Sequence, residues 1–296
     1  MNYSTLPTQE LWNQIQQRPY LNLGALRTEM IQLLVNDSKA TIKLISYNIL
    51  RNNDIVSWNG IINILRTELP DIIGLQEVPS IFHDLISQDP VIVSNYSFIK
   101  PKYYYDSPYS DAELLLIKGE YNPTFYEPAM LPGTKQNRHT HLATFTINNV
   151  PIVVGTCHLE SEFFSAYATQ TKCSQLTYIT NVMKAINPTA VYLVFGDMNL
   201  TSGPELNREN ICIKNAGLTD VWKILHITNE DENNLLYQQN DITWDGARNT
   251  KVKHKEFHRP DRVFLGGATR LTPLSIERIV NNLSDHYGLQ AAFRVQ

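Results

Sequence analysis

The unbroken apolar run Ala190-Val191-Tyr192-Leu193-Val194-Phe195 leads straight into Gly196-Asp197-Met198-Asn199. Such a run reads as a buried strand, so the fold must cover both of its faces. At a period of two, Asp197 and Asn199 lie on the same side of the chain at the strand's mouth and can address one small object. By itself Gly-Asp-x-Asn also fits a turn or a calcium loop. Its meaning comes from other polar clusters in the same setting. Ser46-Tyr47-Asn48 follows the strand-like Ile42-Lys43-Leu44-Ile45, Gln76-Glu77 follows 72–75, and Thr156-Cys157-His158 follows 152–155. Ser284-Asp285-His286 leads into a short strand pattern over 287–293. Strand ends carrying polar groups are where sheet proteins assemble sites.

These clusters supply the carboxylates Glu77 and Asp197, the amides Asn48 and Asn199, and the imidazoles His158 and His286, with Asp285 beside the second imidazole. That inventory suits metal-assisted hydrolysis of a phosphoester, which needs a neutralised phosphate, an aligned water and a stabilised leaving oxygen. Mg2+ is the natural ion, with Mn2+ as a substitute, because one carboxylate with amides and waters matches its preference for oxygen ligands and retained hydration. Asp197 is expected to orient or deprotonate the attacking water. Asn48 and Asn199 are expected to position water, metal or phosphate oxygens. His158 and His286 would face the phosphate from the other side, and Asp285 is expected to fix the tautomer of His286 or keep it protonated. The bland alternatives are turn-forming asparagines, satisfied core histidines and a glutamate capping the helix after Pro79.

Read in order, Ser46-Tyr47-Asn48, Leu75-Gln76-Glu77-Val78, His158-Leu159-Glu160-Ser161, Gly196-Asp197-Met198-Asn199-Leu200, Thr243-Trp244-Asp245, Asp261-Arg262 and Ser284-Asp285-His286-Tyr287-Gly288-Leu289 resemble the endonuclease/exonuclease/phosphatase superfamily. The resemblance implies an α+β fold, a four-layer α/β sandwich with two mixed β-sheets packed face to face, helices on the outer faces and the site at one end. It also implies Glu77 as the metal ligand and Ser161 as a hydrogen-bond donor to phosphate. Within the superfamily, His158-Leu159-Glu160-Ser161 and Thr243-Trp244-Asp245 followed by Asn249 are most similar to the tyrosyl-DNA phosphodiesterase 2 branch. That branch implies a Mg-dependent phosphodiesterase acting on 5′-phosphotyrosyl bonds between protein and nucleic acid, with Trp244 and Asn249 beside Ser161 on the substrate. Two positions depart from it: Thr201 stands where the branch has arginine, and Tyr47 where it commonly has tryptophan. Ser-Tyr-Asn-Ile-Leu is similar to the deadenylases, which makes a 3′ exonuclease acting on RNA the first rival. Another phosphoesterase of the superfamily is the second. A catalytically silent binding protein is disfavoured because every charged or imidazole position is kept.

With 296 residues and 43% of them hydrophobic, the chain can bury a large core. It is expected to form one domain over residues 41–296, preceded by a helical leader over 1–40. The net charge of −4 excludes a globally basic nucleic-acid binder. Phosphate contacts are therefore expected from a local stretch containing Arg248, Lys251, Lys253, Lys255, Arg259 and Arg262, with Arg259 assigned to the substrate. The tyrosines within residues 103–109 can stack on bases. The 3 cysteines, odd in number and without CxxC spacing, argue against a disulfide framework and a structural zinc. A polar N-terminus and the lack of a long apolar run lead us to expect a soluble intracellular monomer without a membrane partner. Periodicity places strands near 41–47, 71–76, 91–99, 112–117, 142–147, 151–157, 190–195, 262–265, 273–280 and 287–293. Helices are expected near 57–69, 80–88 and 165–186.

Overall fold

Strands apolar on both faces need a layer on each side, and the chain meets that demand with two sheets sandwiched between helices. The computed structural model describes residues 41–101, 111–161, 168–200, 206–226, 242–252 and 257–296. The chain divides into Met1–Thr41 and Ile42–Gln296, and the description concerns the second unit, whose first strand opens at Thr41. The expected leader, the tyrosines of 103–109, Thr201, Lys253 and Lys255 lie outside the described residues.

In chain order the elements are β1 (Thr41–Asn48), α1 (Ile55–Glu68), β2 (Ile72–Pro79), α2 (Ser80–Ser87), α3 (Pro90–Asn95), β3 (Tyr96–Phe98), β4 (Asp111–Lys118), β5 (Thr124–Phe125), β6 (Ala129–Met130), β7 (His139–Ile147) and β8 (Val150–His158). There follow α4 (Ala168–Ile186), β9 (Val191–Asp197), α5 (Leu206–Asn215), β10 (Leu218–Asp220), α6 (Val221–His226), β11 (Trp244–Asp245), β12 (Phe257–His258), β13 (Asp261–Gly267), β14 (Leu271–Ile279) and β15 (Gly288–Val295). The first sheet has the order β14-β15-β1-β2-β4-β3 and the second β10-β13-β9-β8-β7-β5, with β6 on β7. Both are mixed: β1 runs parallel to β2 and β8 parallel to β9, while β2/β4, β7/β8 and β13/β9 are antiparallel.

The period of two sorts the strand side chains between layers. Val191, Leu193 and Phe195 of β9 meet Ile42, Leu44, Ile72 and Leu115 between the sheets. Tyr192 and Val194 point the other way, onto Leu176, Ile179 and Met183 of α4. Helix α1 covers the far face of the first sheet with Trp58, Ile61, Ile62 and Leu65, a helical stripe packed on Ile45, Tyr47 and Leu75. Each such side chain, fully buried, contributes about 1.5–3 kcal/mol relative to exposure. The four-layer α+β sandwich is the architecture the motifs implied.

Two expectations are corrected. Residues 91–99 do not form one strand, because Pro90–Asn95 is helical and only Tyr96–Phe98 pairs with β4. The β-branched Val91, Ile92 and Val93 are overridden by a local cap: Asp89 Oδ1 accepts from Val91 N and Ile92 N, each at 3.0 Å, and Pro90 occupies the first turn. The cysteines do include a pair. Cys173 of α4 and Cys212 of α5, 39 residues apart in sequence, are joined as a disulfide, while Cys157 is buried and free. Helix packing, not sequence spacing, brings the pair together. Among the described residues no helix is long and apolar enough to cross a membrane.

Candidate active site

Parallel pairing delivers the C-terminal ends of β1 and β2 together, with Asn48 opposite Gln76, and the ends of β8 and β9 together, with His158 opposite Asp197. Antiparallel β13 then sets Asp261 opposite Asp197. The segment before β15 is tied in by Ser284 Oγ, which donates to Asn48 O at 2.7 Å and accepts from His286 N at 3.2 Å. Asn48, His158, Asp197 and Asp261 thus gather at one end of the sandwich through strand register, and Glu77 and the Ser284-anchored His286 join them there.

Asp197 is the hub. Its Oδ2 accepts from Asn48 Nδ2 at 2.9 Å and faces His158 Nε2 at 3.2 Å and His286 Nε2 at 3.7 Å, while Oδ1 accepts from Asn199 N at 2.9 Å. Gly196 sits at φ +139, and a Cβ there would lie 2.0 Å from Cys157 O, so only glycine lets the strand turn Asp197 inward. Asn199 adopts φ 48. Its Nδ2 donates to Leu159 O at 2.9 Å, and the buried Lys172 Nζ donates to its carbonyl at 2.7 Å. Asn199 therefore braces the loop that carries Asp197.

Glu77 is aimed by a bulge. The β2/β4 register shifts between Leu75 and Val78, and Glu77 takes φ 56, a conformation costing a non-glycine residue about 1–3 kcal/mol. Its Oε1 accepts from Asn48 Nδ2 at 3.3 Å and its Oε2 from Arg51 N at 3.2 Å. One amide nitrogen thereby links the two carboxylates.

The imidazoles are held in opposite charge states. Arg138 Nη1 lies 2.8 Å from His158 Nδ1. A guanidinium only donates, so Nδ1 accepts and the His158 proton sits on Nε2, toward Asp197. Burial, and then the Arg138 charge, hold this histidine well below its ordinary pKa. For His286 burial also works against the charged form, but Asp261 and then Asp197 outweigh it and hold the group well above its ordinary value. His286 is an imidazolium whose Nδ1 donates to Asp261 Oδ2 at 2.8 Å.

That contact corrects the pairing expected with Asp285. Asp285 makes no direct contact with the ring; its Oδ1 lies 3.3 Å from Ser284 Oγ, and its charge adds to the hold on the His286 proton after Asp261 and Asp197. The other assigned positions divide. Ser161 is buried beside the end of β8, where its Oγ accepts from Gln136 Nε2 at 2.9 Å, leaving its own proton for another acceptor. Trp244 is half-buried and stacks on His258 with centroids 5.6 Å apart. Asn249 is buried and donates to Ser284 O at 2.8 Å, bracing the His286 segment rather than opening toward a ligand. Arg259 is a correction: it is buried against Trp222, and its Nη2 donates to Asp220 Oδ1 at 2.7 Å, beside Arg262 on Oδ2 at 2.9 Å. Lys251 bonds Asn53 Oδ1 at 2.5 Å and Asp54 Oδ2 at 3.1 Å, joining two loops.

Asp261, Arg138 and Lys172 went unassigned in the sequence. Asp261 stood in a quoted motif, but only the β13/β9 register shows its partner. Arg138 precedes a strand without any motif to mark it.

A sequence profile of the Endonuclease/Exonuclease/phosphatase family matches residues 45–286. This chain belongs to that family, whose enzymes are phosphoester hydrolases. Among curated proteins, none matches the sequence significantly. Among solved structures, D. rerio TDP2 complexed with a single-strand DNA product is similar at 22% identity and a TM-score of 0.67, covering 86% of this chain and 99% of that one. Truncated TDP2 of Caenorhabditis elegans is similar at 18% identity and a TM-score of 0.65, with 86% and 98% covered. The human Nocturnin catalytic domain with bound sulfate follows at 17% identity and a TM-score of 0.64, with 86% and 95% covered. These likenesses establish the shared fold.

Proposed function

We propose that the protein is a magnesium-dependent phosphodiesterase that hydrolyses 5′-phosphotyrosyl bonds on nucleic-acid ends, leaving a 5′-phosphate, with Mn2+ able to replace Mg2+. Residues 41–296 form its catalytic domain, residues 1–40 its leader, and the working unit is a monomer. The observation that carries the reading is the Asn48 amide shared by Glu77 and Asp197, with an imidazolium facing the same Asp197 oxygen. This arrangement joins a cation ligand, a water-orienting carboxylate and a donor for phosphate charge.

The donor chemistry at Glu77 fits the ion. Glu77 is half-buried and offers carboxylate oxygen at a bulge, and an oxygen donor of this kind matches a cation that retains most of its hydration. A second group, Asp197, Asp261 and His286, brings its donor atoms within 4.8 Å of one another. It suits a cation poorly, because His286 is protonated and bonded to Asp261. Held by Glu77, Mg2+ would neutralise phosphate charge and lower the cost of its further accumulation.

Asp197 takes a proton from the attacking water as the water oxygen bonds to phosphorus and the bond to the leaving oxygen breaks. His158 Nε2–H and His286 Nε2–H, which face Asp197 in the free protein, would turn to phosphoryl oxygens as charge develops. A tyrosine phenol, with a pKa of about 10, departs as phenolate with little proton assistance, unlike a sugar alkoxide. The DNA product held by the D. rerio relative supports a nucleic-acid substrate, and Trp244 beside His258 offers it an aromatic surface.

The assay is release of p-nitrophenol from thymidine 5′-(p-nitrophenyl phosphate). EDTA is expected to abolish turnover and Mg2+ to restore it. Glu77→Gln should raise the Mg2+ concentration for half-maximal rate by about tenfold or more, the scale seen when a metal site loses a supporting group. Full turnover after exhaustive chelation, or an unchanged Mg2+ requirement in the variant, would remove Glu77 as the ligand.

A further inference from the structure

Glu160 plays no part in the hydrolysis outlined above, yet it is fully buried, and a buried carboxyl must be satisfied. Both of its oxygens accept from Lys135 N, each at 3.1 Å. The next residue, Gln136, uses both ends of its amide on Ser161: Oε1 accepts from Ser161 N at 2.7 Å and Nε2 donates to Ser161 Oγ at 2.9 Å. Gln175 of α4 closes the arrangement, its Oε1 accepting from Glu160 N at 3.0 Å and its Nε2 donating to Pro132 O at 3.3 Å. Residues 132–138 are therefore laid along residues 158–161 as a strap, and the strap ends at Arg138, whose Nη1 reaches His158 Nδ1 at 2.8 Å.

We propose that Glu160 is a positioning residue: by anchoring the 132–138 strap it keeps Arg138 on His158 Nδ1, so that His158 stays neutral with its single proton on Nε2. The kinetic consequence rests on the phosphodiesterase reading, whereas the placement of the proton does not. The groups facing His158 are Arg138, Asp197, His286 and Arg51. Asp197 favours a second proton on the ring, while Arg138 opposes it most strongly among the charged neighbours. When the strap loosens, Nδ1 is no longer obliged to accept from Arg138, and while burial still holds the ring neutral its one proton is shared between Nδ1 and Nε2. The site then loses a directional Nε2–H donor.

The test uses the full chain with 15N-labelled histidine. Long-range 1H–15N spectra report the protonation of each His158 nitrogen without any substrate, and kcat and KM are measured on the p-nitrophenyl diester. Glu160→Gln keeps the side-chain volume but weakens the grip on Lys135 N. It should place part of the ring proton on Nδ1 at neutral pH and lower kcat about tenfold while KM moves less than about twofold. Arg138→Ala should place more of it there. In the Arg138→Ala background, Glu160→Gln should then cost nothing further, because the two act through one contact. Lys135→Pro, which deletes the same N–H from an exposed position, should reproduce the spectral change if Glu160→Gln does not fold. An Nδ1 that stays unprotonated in the Glu160 and Lys135 variants overturns the proposal, as does a kcat loss that simply adds to that of Arg138→Ala. A wild-type protein without turnover would defeat the phosphodiesterase reading, and the spectra would still decide the role of Glu160.

Discussion

Asp197→Asn is expected to lower kcat by about three orders of magnitude while KM changes little. The carboxylate accepts from Asn48 Nδ2, Asn199 N and His158 Nε2 and faces the His286 imidazolium. An amide of the same shape keeps one acceptor oxygen but removes the charge, and it cannot take a proton from water. General-base loss costs about 10²–10⁴-fold, and disturbance of the neighbouring phosphate donors adds to it. The fold should survive, since β9 is held by its apolar side chains and by strand pairing on both sides. Stopped-flow or steady-state kinetics beside a thermal melt separate the outcomes. Near-normal kcat with a lost cooperative melt would make Asp197 a structural acid.

Asp261→Asn is expected to cost about 10²-fold in kcat near neutral pH and to move the alkaline limb of the kcat profile downward. Burial disfavours the His286 imidazolium, and Asp261 is the strongest of the groups that reverse this. A donor that must be charged is fully present below its folded pKa and lost as pH rises through it. Without Asp261 that pKa falls, so activity disappears at lower pH than in the wild type. The same substitution at Asp285, which does not touch the imidazole and ranks behind Asp261 and Asp197 in holding its proton, should leave the limb much closer to its wild-type position. Measuring kcat across pH for the two variants distinguishes these carboxylates directly. A larger shift from Asp285→Asn than from Asp261→Asn would restore the pairing that adjacency suggests.

The contrast between Asp261 and Asp285 shows where sequence reading stops. Asn48, Glu77, His158 and Asp197 were legible because each follows a strand-like run, and a run of that kind places its last residue at a sheet end whatever the topology. Asp261 meets His286 only through the register of β13 on β9, which no local pattern encodes. Arg259 illustrates the converse error. A basic stretch in sequence looks like a solvated, phosphate-seeking surface, yet Asp220 and Trp222 draw this arginine into the interior. The layered architecture was readable through the resemblance of the ordered motifs to the superfamily; many strands with few interposed helices excluded by themselves only a plain doubly wound sheet. Helix α3 was missed because Asp89 and Pro90, a local start signal, outweighed the strand propensity of the following β-branched residues. The Cys173–Cys212 pair is likewise a product of α4 packing on α5 across 39 residues of chain.

The central claim is the identity of the bond that is cut, and one experiment addresses it most directly. A 5′-tyrosyl oligonucleotide and a poly(A) RNA are incubated with the protein in Mg2+, with a parallel pair in EDTA, and the products are separated by length and end group. The account predicts free tyrosine and an oligonucleotide of unchanged length bearing a 5′-phosphate, formed only with Mg2+, while the poly(A) strand stays intact. Stepwise 3′ shortening of the RNA with the tyrosyl bond untouched would contradict it and assign the same residues to a 3′ exonuclease.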